Sequence, residues 1–374
     1  MSSRRRRGEF QWIRHIDFVL LGAVAAISGL GLLMVYSATK NRTLREGSGT
    51  YFLTRQGLFV VIGIAVMAVV VAVDYRRLRS WAWPLYGVTL LALLAVISPL
   101  GTTSKGAQAW FQVAGYQFQP SEFAKIVVIV TLAAYLTRHR TELDLLHLGV
   151  ALVVAAAPIG LILLQPDLGT AMVLVVAVFA ILACAGVRVW HLALIALVGL
   201  TLATSVIQLG LLNRYQVDRL TVFLNPGQSL SGAGYNVDQS KITIGSGGLT
   251  GKGLFQGTQT QLSYVPEQQT DFIFTVVGEE LGFVGGALLL ALFGVVVWRT
   301  WRSARLAGDV FGSLICVGVL AMFTFQIFEN IGMTMGIMPV TGIPLPFMSY
   351  GGSSTIAYFI CIGLVVNVHM RRFA

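Results

Sequence analysis

Asp271 is the side chain in this sequence best placed to do chemistry. It stands in the run Val265-Pro266-Glu267-Gln268-Gln269-Thr270-Asp271-Phe272-Ile273-Phe274, where the polar stretch 211–270 gives way to a long apolar one. A carboxylate at a water–membrane boundary, on the first turn of a spanning helix, can act on the head group of a lipid whose tail stays in the bilayer. Other charges sit at comparable depths. In Gln119-Pro120-Ser121-Glu122-Phe123-Ala124-Lys125, Pro120 suits a first helical turn and Glu122 favours the positive end of the helix dipole. Lys125 follows three residues, about 4.5 Å, further along the axis. Either the two close as an ion pair that settles the helix end, or Lys125 faces a polar cavity and holds an anionic group. Asp167, in Gln165-Pro166-Asp167-Leu168-Gly169-Thr170, either caps the next helix or lies beside Lys125 at the same level. Glu279 and Glu280 project about 100° apart on a helix and cannot share one face, so one faces a polar interior and the other needs its own partner, in either a structural pairing or a substrate role. Gln326, Glu329 and Asn330 form one polar stripe at helical spacing, which must face protein or water.

Spans have to position these groups. The 374 residues are 56% hydrophobic and 11% charged, with a mean hydropathy of +0.77, whereas a soluble domain carries about 25% charged residues. The chain reads as an all-α polytopic integral membrane protein, a single membrane domain over 1–374. Ten apolar runs approach the length of about 20 residues that crosses a bilayer: 17–38, 53–73, 80–99, 120–137, 147–164, 168–187, 190–210, 272–298, 310–335 and 353–370. An even number puts both termini on one side. If that side is the cytoplasm, its segments, beginning with the basic tail 1–16, carry 16 arginines and the short loops opposite carry five lysines or arginines, as the positive-inside rule requires. The net charge of +10 then reflects topology, with no nucleic-acid partner. The long loop 211–270, between the seventh and eighth spans, lies outside, and Asp271 with it. No cleavable signal precedes the first span, and no internal repeat suggests an inverted-repeat transporter.

This sidedness limits the chemistry. His15, His139, His147, His191 and His369 fall on the cytoplasmic side, and Cys184, Cys316 and Cys361 lie inside apolar runs. A His/Cys zinc site outside is excluded. Acid–base work there rests on Glu46, Asp167, Asp218, Asp238, Glu267 and Asp271, with Glu122 just inside a span. These carboxylates leave a Mg2+ or Mn2+ site open.

Two glycine-bearing stretches stand out. In residues 244–253, IGSGGLTGKG, Ser246 occupies the first glycine position of a nucleotide P-loop and Gly253 replaces its final Ser/Thr. The stretch reads as tight turns and backbone freedom, or as a nest around pyrophosphate with Lys241 and Lys252 as partners. In residues 339–354, PVTGIPLPFMSYGGSS, three prolines prevent a regular helix. Its apolar content places it dipping into the outer boundary, where irregular backbone is tolerated only against protein or a water-filled cavity.

As a set, the runs 119–125, 165–170, 239–247, 266–274 with 278–282, and 330–354 resemble the SEDS family (shape, elongation, division and sporulation proteins), the bacterial cell-wall polymerases. The resemblance covers the chain from the fourth span to its end. Residues 325–333 and 339–344 are most similar to the rod-shape elongation branch; the division branch usually carries a lysine near Thr341. Membership implies ten spans in the bacterial inner membrane and polymerisation of lipid II into a growing glycan strand. It also implies a working partnership with a class B penicillin-binding protein, a transpeptidase. In one departure, Gln269 stands where the family run Pro-Glu-x-His-Thr-Asp has histidine, so that position reads as positional rather than chemical.

Lipid II joins a disaccharide to a polyprenyl chain through pyrophosphate. An α-linked donor giving a β-linked product needs only a single inverting displacement, with one general base near the attacking hydroxyl and positive charge near the leaving group. On this reading Asp271 is the base. Glu122, Lys125, Asp167, Arg219, Lys241, Glu267 and Ser353 line the substrate site, and Lys125, Arg214, Arg219, Lys241 and Lys252 are the cations available to pyrophosphate. A flippase for lipid-linked precursors would use the same intramembrane charges and broken backbone, but has no need of the long outer loop. A mere scaffold for the transpeptidase leaves the buried charges unexplained.

Overall fold

The computed structural model describes residues 15–45, 50–104, 107–113, 115–139, 144–210, 217, 219, 223 and 232–373. Each of the ten apolar runs forms a helix. They are α1 (Phe18–Arg45), α2 (Tyr51–Ala72), α3 (Leu78–Ile97), α4 (Pro120–Arg138), α5 (Leu145–Leu164), α6 (Leu168–Cys184) and α7 (Val189–Gln208), then, after two short helices α8 (Ala233–Ser246) and α9 (Thr258–Gln261), α10 (Ile273–Arg305), α11 (Val310–Met335) and α12 (Gly352–Met370). Eight are long and apolar enough to cross a membrane, and shorter apolar stretches occupy Leu168–Cys184 and Val189–Leu202. Asp144, Asp167 and Asp309 each accept the amide of the residue three further on, of His147, Thr170 and Gly312, and so start α5, α6 and α11. Gly336, at φ +75°, ends α11 in the left-handed conformation.

The most enclosed helices are α4 and α12, whereas α2, α3 and α5 expose Val61, Leu91 and Val153 as a lipid-facing surface. One end of the bundle gathers both termini: His15 packs on Phe373, Asp17 pairs with Arg299 at 2.7 Å and Arg76 with Asp309 at 3.1 Å. Grouping of these loops on one side is what an even number of spans requires.

Three features were not foreseen. Residues 102–118 form a small antiparallel sheet, β1 (Thr102–Ser104), β2 (Ala107–Val113) and β3 (Tyr116–Phe118), in that order, with Phe111 paired to Phe118. It lies between α3 and α4 at the end opposite the termini. Next, α10 is broken at Gly282 (φ 64°, ψ −161°). The segment 247–253 replaces the lost helical bonds: Lys252 and Gly253 amides donate to the Glu279 and Glu280 carbonyls at 3.0 Å, and Phe283 and Val284 amides donate to Gly248 and Leu249 at 2.9 and 3.0 Å. The glycines there serve close approach rather than flexibility. A Cβ on Gly247 would lie 1.9 Å from the Gly278 carbonyl oxygen, and one on Gly251, at φ +79°, 2.1 Å from that of Glu280. Finally, part of the long loop is regular, since α8 carries residues 233–246 of it.

The stretch between α11 and α12 is irregular, as its prolines demand, yet Ile343, Leu345, Phe347 and Met348 are almost fully buried. Gln56 of α2 secures it by donating to the Ser349 carbonyl at 3.2 Å and accepting from the Gly351 amide at 3.2 Å. Irregular backbone at membrane depth is thus shielded by protein.

Candidate active site

Asp271 is half-buried in the turn just before α10. Its amide donates to the Glu267 carbonyl at 3.2 Å, with Glu267 held at φ +53°. Its own carbonyl accepts from Asn330 Nδ2 at 2.8 Å, and Asn330 also donates to the Ile343 carbonyl at 2.7 Å. One amide side chain on α11 therefore locks the start of α10 to the irregular stretch. Gly342, at φ +77°, leaves space beside the carboxylate: a Cβ there would lie 3.4 Å from Asp271 Oδ2 and 3.7 Å from Arg219 Nη2. Arg219 donates to the Thr341 carbonyl at 2.9 Å, and the Thr341 hydroxyl donates to the fully buried Glu329. Glu329 in turn senses the charges of both Asp271 and Arg219, and its Oε2 has no partner among the described residues. The polar stripe of α11 thus faces protein at this site. Beneath it, Val237, Val265, Phe272, Met333 and Val340 form a separate small core that fixes α8, the 265–272 turn and the irregular stretch together.

Lys241, on α8, crosses Gly336 and lies 3.8 Å from Asp238. With Arg219, Phe223 and Val340 it lines a narrow cleft, so two cations border one groove, and Arg219 links it to Asp271 across Gly342.

A second cluster occupies the start of α4. Lys125 and Glu122 are both buried and pair at 2.9 Å, with the ammonium 5.8 Å from the centre of the Tyr358 ring. The ion pair is formed, and in this conformation Lys125 is closed off from an anion. Asp167 both caps α6 and accepts Gln119 Nε2 at 3.2 Å, while Ser353 accepts the Gln119 amide at 2.9 Å. The two clusters meet through the irregular stretch: a Cβ on Gly169 would fall 3.2 Å from the Thr341 carbonyl oxygen, and Tyr358 donates to the Pro344 carbonyl at 3.5 Å.

Other candidates are used structurally. Lys252 pairs with Glu279 at 2.7 Å, and its amide and that of Gly253 are taken by the Glu279 and Glu280 carbonyls, so in this conformation they serve α10. Glu279 also accepts the Gln259 and Thr260 amides and the Thr260 hydroxyl, and Glu280 accepts the Ser37 hydroxyl and the Phe255 amide. Each of the adjacent glutamates has its own partners, and together they hold the 249–262 segment. Sequence reasoning missed Gln268, which donates to Thr260 at 3.1 Å and Thr275 at 2.9 Å and so ties this network to the Asp271 turn. Nothing in its local sequence signals that role. Gln269 is buried and its carbonyl accepts the Tyr350 amide at 2.9 Å. Glu46, Arg214 and Asp218 lie outside the described residues. Among the described residues no group of three or more His, Cys, Asp or Glu is arranged to hold a metal.

Fold and site define a membrane-embedded protein with a polar, carboxylate-bearing groove at the end opposite its termini. The profile of the FtsW/RodA/SpoVE cell cycle proteins matches residues 18–373. The chain is 37% identical to a probable peptidoglycan glycosyltransferase FtsW of Trichlorobacter lovleyi, over 94% of this chain and 92% of that protein. It is equally 37% identical to peptidoglycan glycosyltransferase MrdB of Escherichia coli K12, over 96% of this chain and 94% of that one. A chain of a peptidoglycan synthase complex that coordinates polymerization and crosslinking superposes with a TM-score of 0.80 at 32% identity, over 96% of this chain and 98% of the other. This chain belongs to the SEDS family (FtsW/RodA/SpoVE), the peptidoglycan glycosyltransferases that polymerise glycan strands. Equal identity to FtsW and MrdB means that overall similarity does not resolve the branch.

Proposed function

We propose that this enzyme is the RodA-like, elongation member of the family. On this reading it sits in the bacterial inner membrane with both termini cytoplasmic, and it polymerises lipid II at the outer face by inverting displacement of polyprenyl pyrophosphate. Asp271 is the general base: it takes the proton of the attacking sugar hydroxyl as the new glycosidic bond forms and the anomeric carbon–oxygen bond to pyrophosphate breaks. The observation that carries this assignment is the carboxylate of Asp271 beside Gly342 and Arg219, with its backbone clamped by Asn330. Preorganised charge of this kind lowers the barrier without reorganisation during the reaction. Arg219 and Lys241 border the adjacent groove and supply positive charge for the leaving pyrophosphate. Glu267 shapes the turn that presents Asp271. Glu122, Lys125, Asp167 and Ser353 build the neighbouring wall, whose buried pair would have to open for Lys125 to meet an anion.

The carboxylates of this rim are hard oxygen donors of the kind Mg2+ or Mn2+ takes together with substrate phosphates; such an ion would supply further charge for the pyrophosphate. The arginine-rich end that gathers both termini supports a cytoplasmic assignment. The similar chain in a complex joining polymerization to crosslinking supports a class B penicillin-binding protein as transpeptidase partner. The runs 325–333 and 339–344 support the elongation role.

The test is polymerisation of lipid II in proteoliposomes, with and without chelator and partner. Asp271→Asn preserves volume and removes the base, and is expected to slow polymerisation by about 10²–10⁴-fold. A folded Asp271→Asn enzyme working at the wild-type rate would refute the assignment, and leaflet exchange without polymer from the wild-type chain would refute the reaction.

A further inference from the structure

At the end of the bundle that gathers the termini, far from Asp271, α3 and α4 frame a basin of 590 Å3. Arg76 from the turn before α3, Arg79 and Trp83 from α3, and Arg138 and His139 from the end of α4 converge on it. Rings run along its wall: Trp83 packs edge-on against Tyr135 at 6.3 Å and Tyr135 lies 4.8 Å from His139, which is backed by His147 at 4.5 Å.

Among the described residues no carboxylate lines the basin. Of the described acids nearby, Asp309 holds one basin arginine, accepting Arg76 Nε at 3.1 Å and the Tyr75 hydroxyl at 2.7 Å, and Asp144 caps α5 and meets the His147 ring at 2.7 Å. Arg79 and Arg138 have no carboxylate partner among the described residues. Guanidinium groups brought from two separate segments into one concavity repel one another unless an anion lies between them. Arg77, on the same turn, does not line the basin.

Depth identifies the anion. Trp81 and Trp83 are exposed on α3 at the level of the basin, as interfacial tryptophans are. Further along α3, Leu85, Val88 and Leu91 present an exposed apolar surface. An anion here has acyl chains as neighbours. We propose that the basin binds the phosphodiester headgroup of an anionic phospholipid, held by the Arg79 and Arg138 forks, whose planar donors match phosphate oxygens.

Native mass spectrometry of the full chain, purified in micelles with equal phosphatidylglycerol and phosphatidylcholine, tests this. The wild type is expected to retain phosphatidylglycerol preferentially, and the double variant Arg79→Gln/Arg138→Gln to lose that preference by about 30-fold. Arg79→Lys/Arg138→Lys, which keeps the charge but loses the forks, should fall between the two, and Arg77→Gln should keep all of the preference. Retention by the double glutamine variant equal to wild type overturns the site. Wild-type retention of the two lipids in the proportion supplied overturns it without recourse to a variant. Displacement of the lipid by a millimolar excess of inorganic phosphate overturns the headgroup assignment in favour of a free-anion site.

Discussion

Replacing Glu279 with glutamine tests whether a buried charge on α10 positions the Asp271 turn. The Glu279 carboxylate is fully buried and accepts from Lys252 Nζ at 2.7 Å, the Gln259 amide at 2.8 Å, the Thr260 amide at 2.9 Å and the Thr260 hydroxyl at 2.7 Å. Glutamine has the same volume, but one of its two polar atoms donates, so whichever way it turns a donor faces donors. Removing one partner of a buried ion pair costs about 3–5 kcal/mol. Lys252 is 27% exposed and can regain water, which places the cost near the lower end. About 3 kcal/mol corresponds to roughly 10²-fold more frequent opening. Hydrogen exchange by mass spectrometry should show that increase in peptides spanning residues 250–270 and leave α6 unchanged. Because Gln268 joins Thr260 to the Asp271 turn, kcat should fall more than KM rises. Adding Lys252→Met to Glu279→Gln should cost less than the sum of the two alone, since they remove one interaction. Unchanged protection over 250–262 in folded Glu279→Gln would refute the reasoning, because the charge would then hold nothing.

Two stability predictions follow from local geometry. Gly251→Ala combines left-handed strain with a Cβ 2.1 Å from the Glu280 carbonyl oxygen, whereas Gly186→Ala at φ +95° meets open space. The first should lose about 2–4 kcal/mol and the second about 1 kcal/mol, a ranking that melting in detergent will show and that equal losses would contradict. Asp309 is destabilised as an anion by burial, but the Gly312 amide, the Tyr75 hydroxyl and the Arg76 guanidinium outweigh that and hold its carboxyl below the ordinary range. Its stabilising contribution is therefore complete above the unfolded carboxyl value of about 3.9 and is lost as pH falls through the lower folded one. Thermal melting of the wild type should weaken in that acid window, and Asp309→Asn should weaken less there.

Much of the architecture was legible because spans are written in continuous hydrophobicity. The ten apolar runs became α1–α7 and α10–α12, with boundaries moved by a few residues at most ends and further where α1 and α10 run on to Arg45 and Arg305. Capping was one of two readings open for Asp167, and its carboxylate does start α6. The sheet at 102–118 was not, because its alternation is brief and spans masked the loop between them. The Gly-rich run 244–253 misled for a different reason. Glycine reports only the absence of a side chain, and whether that absence serves flexibility or close approach depends on α10 lying 1.9–2.1 Å from the missing Cβ atoms.

The sequence by itself therefore determined the class, the spans, the grouping of both termini at one end and the residue types available at the opposite end, since each is a property of neighbours along the chain. Which charges meet was decided only in three dimensions. Asn330 reaches the carbonyl of Asp271 across 59 residues, and Arg219 reaches that of Thr341 across 122. Lys252 is committed to Glu279 while Arg219 lies beside Asp271, although both are basic residues of the same loop. Such pairings arise from how distant helices pack and how irregular backbone finds its hydrogen bonds within protein, and no local periodicity carries that information.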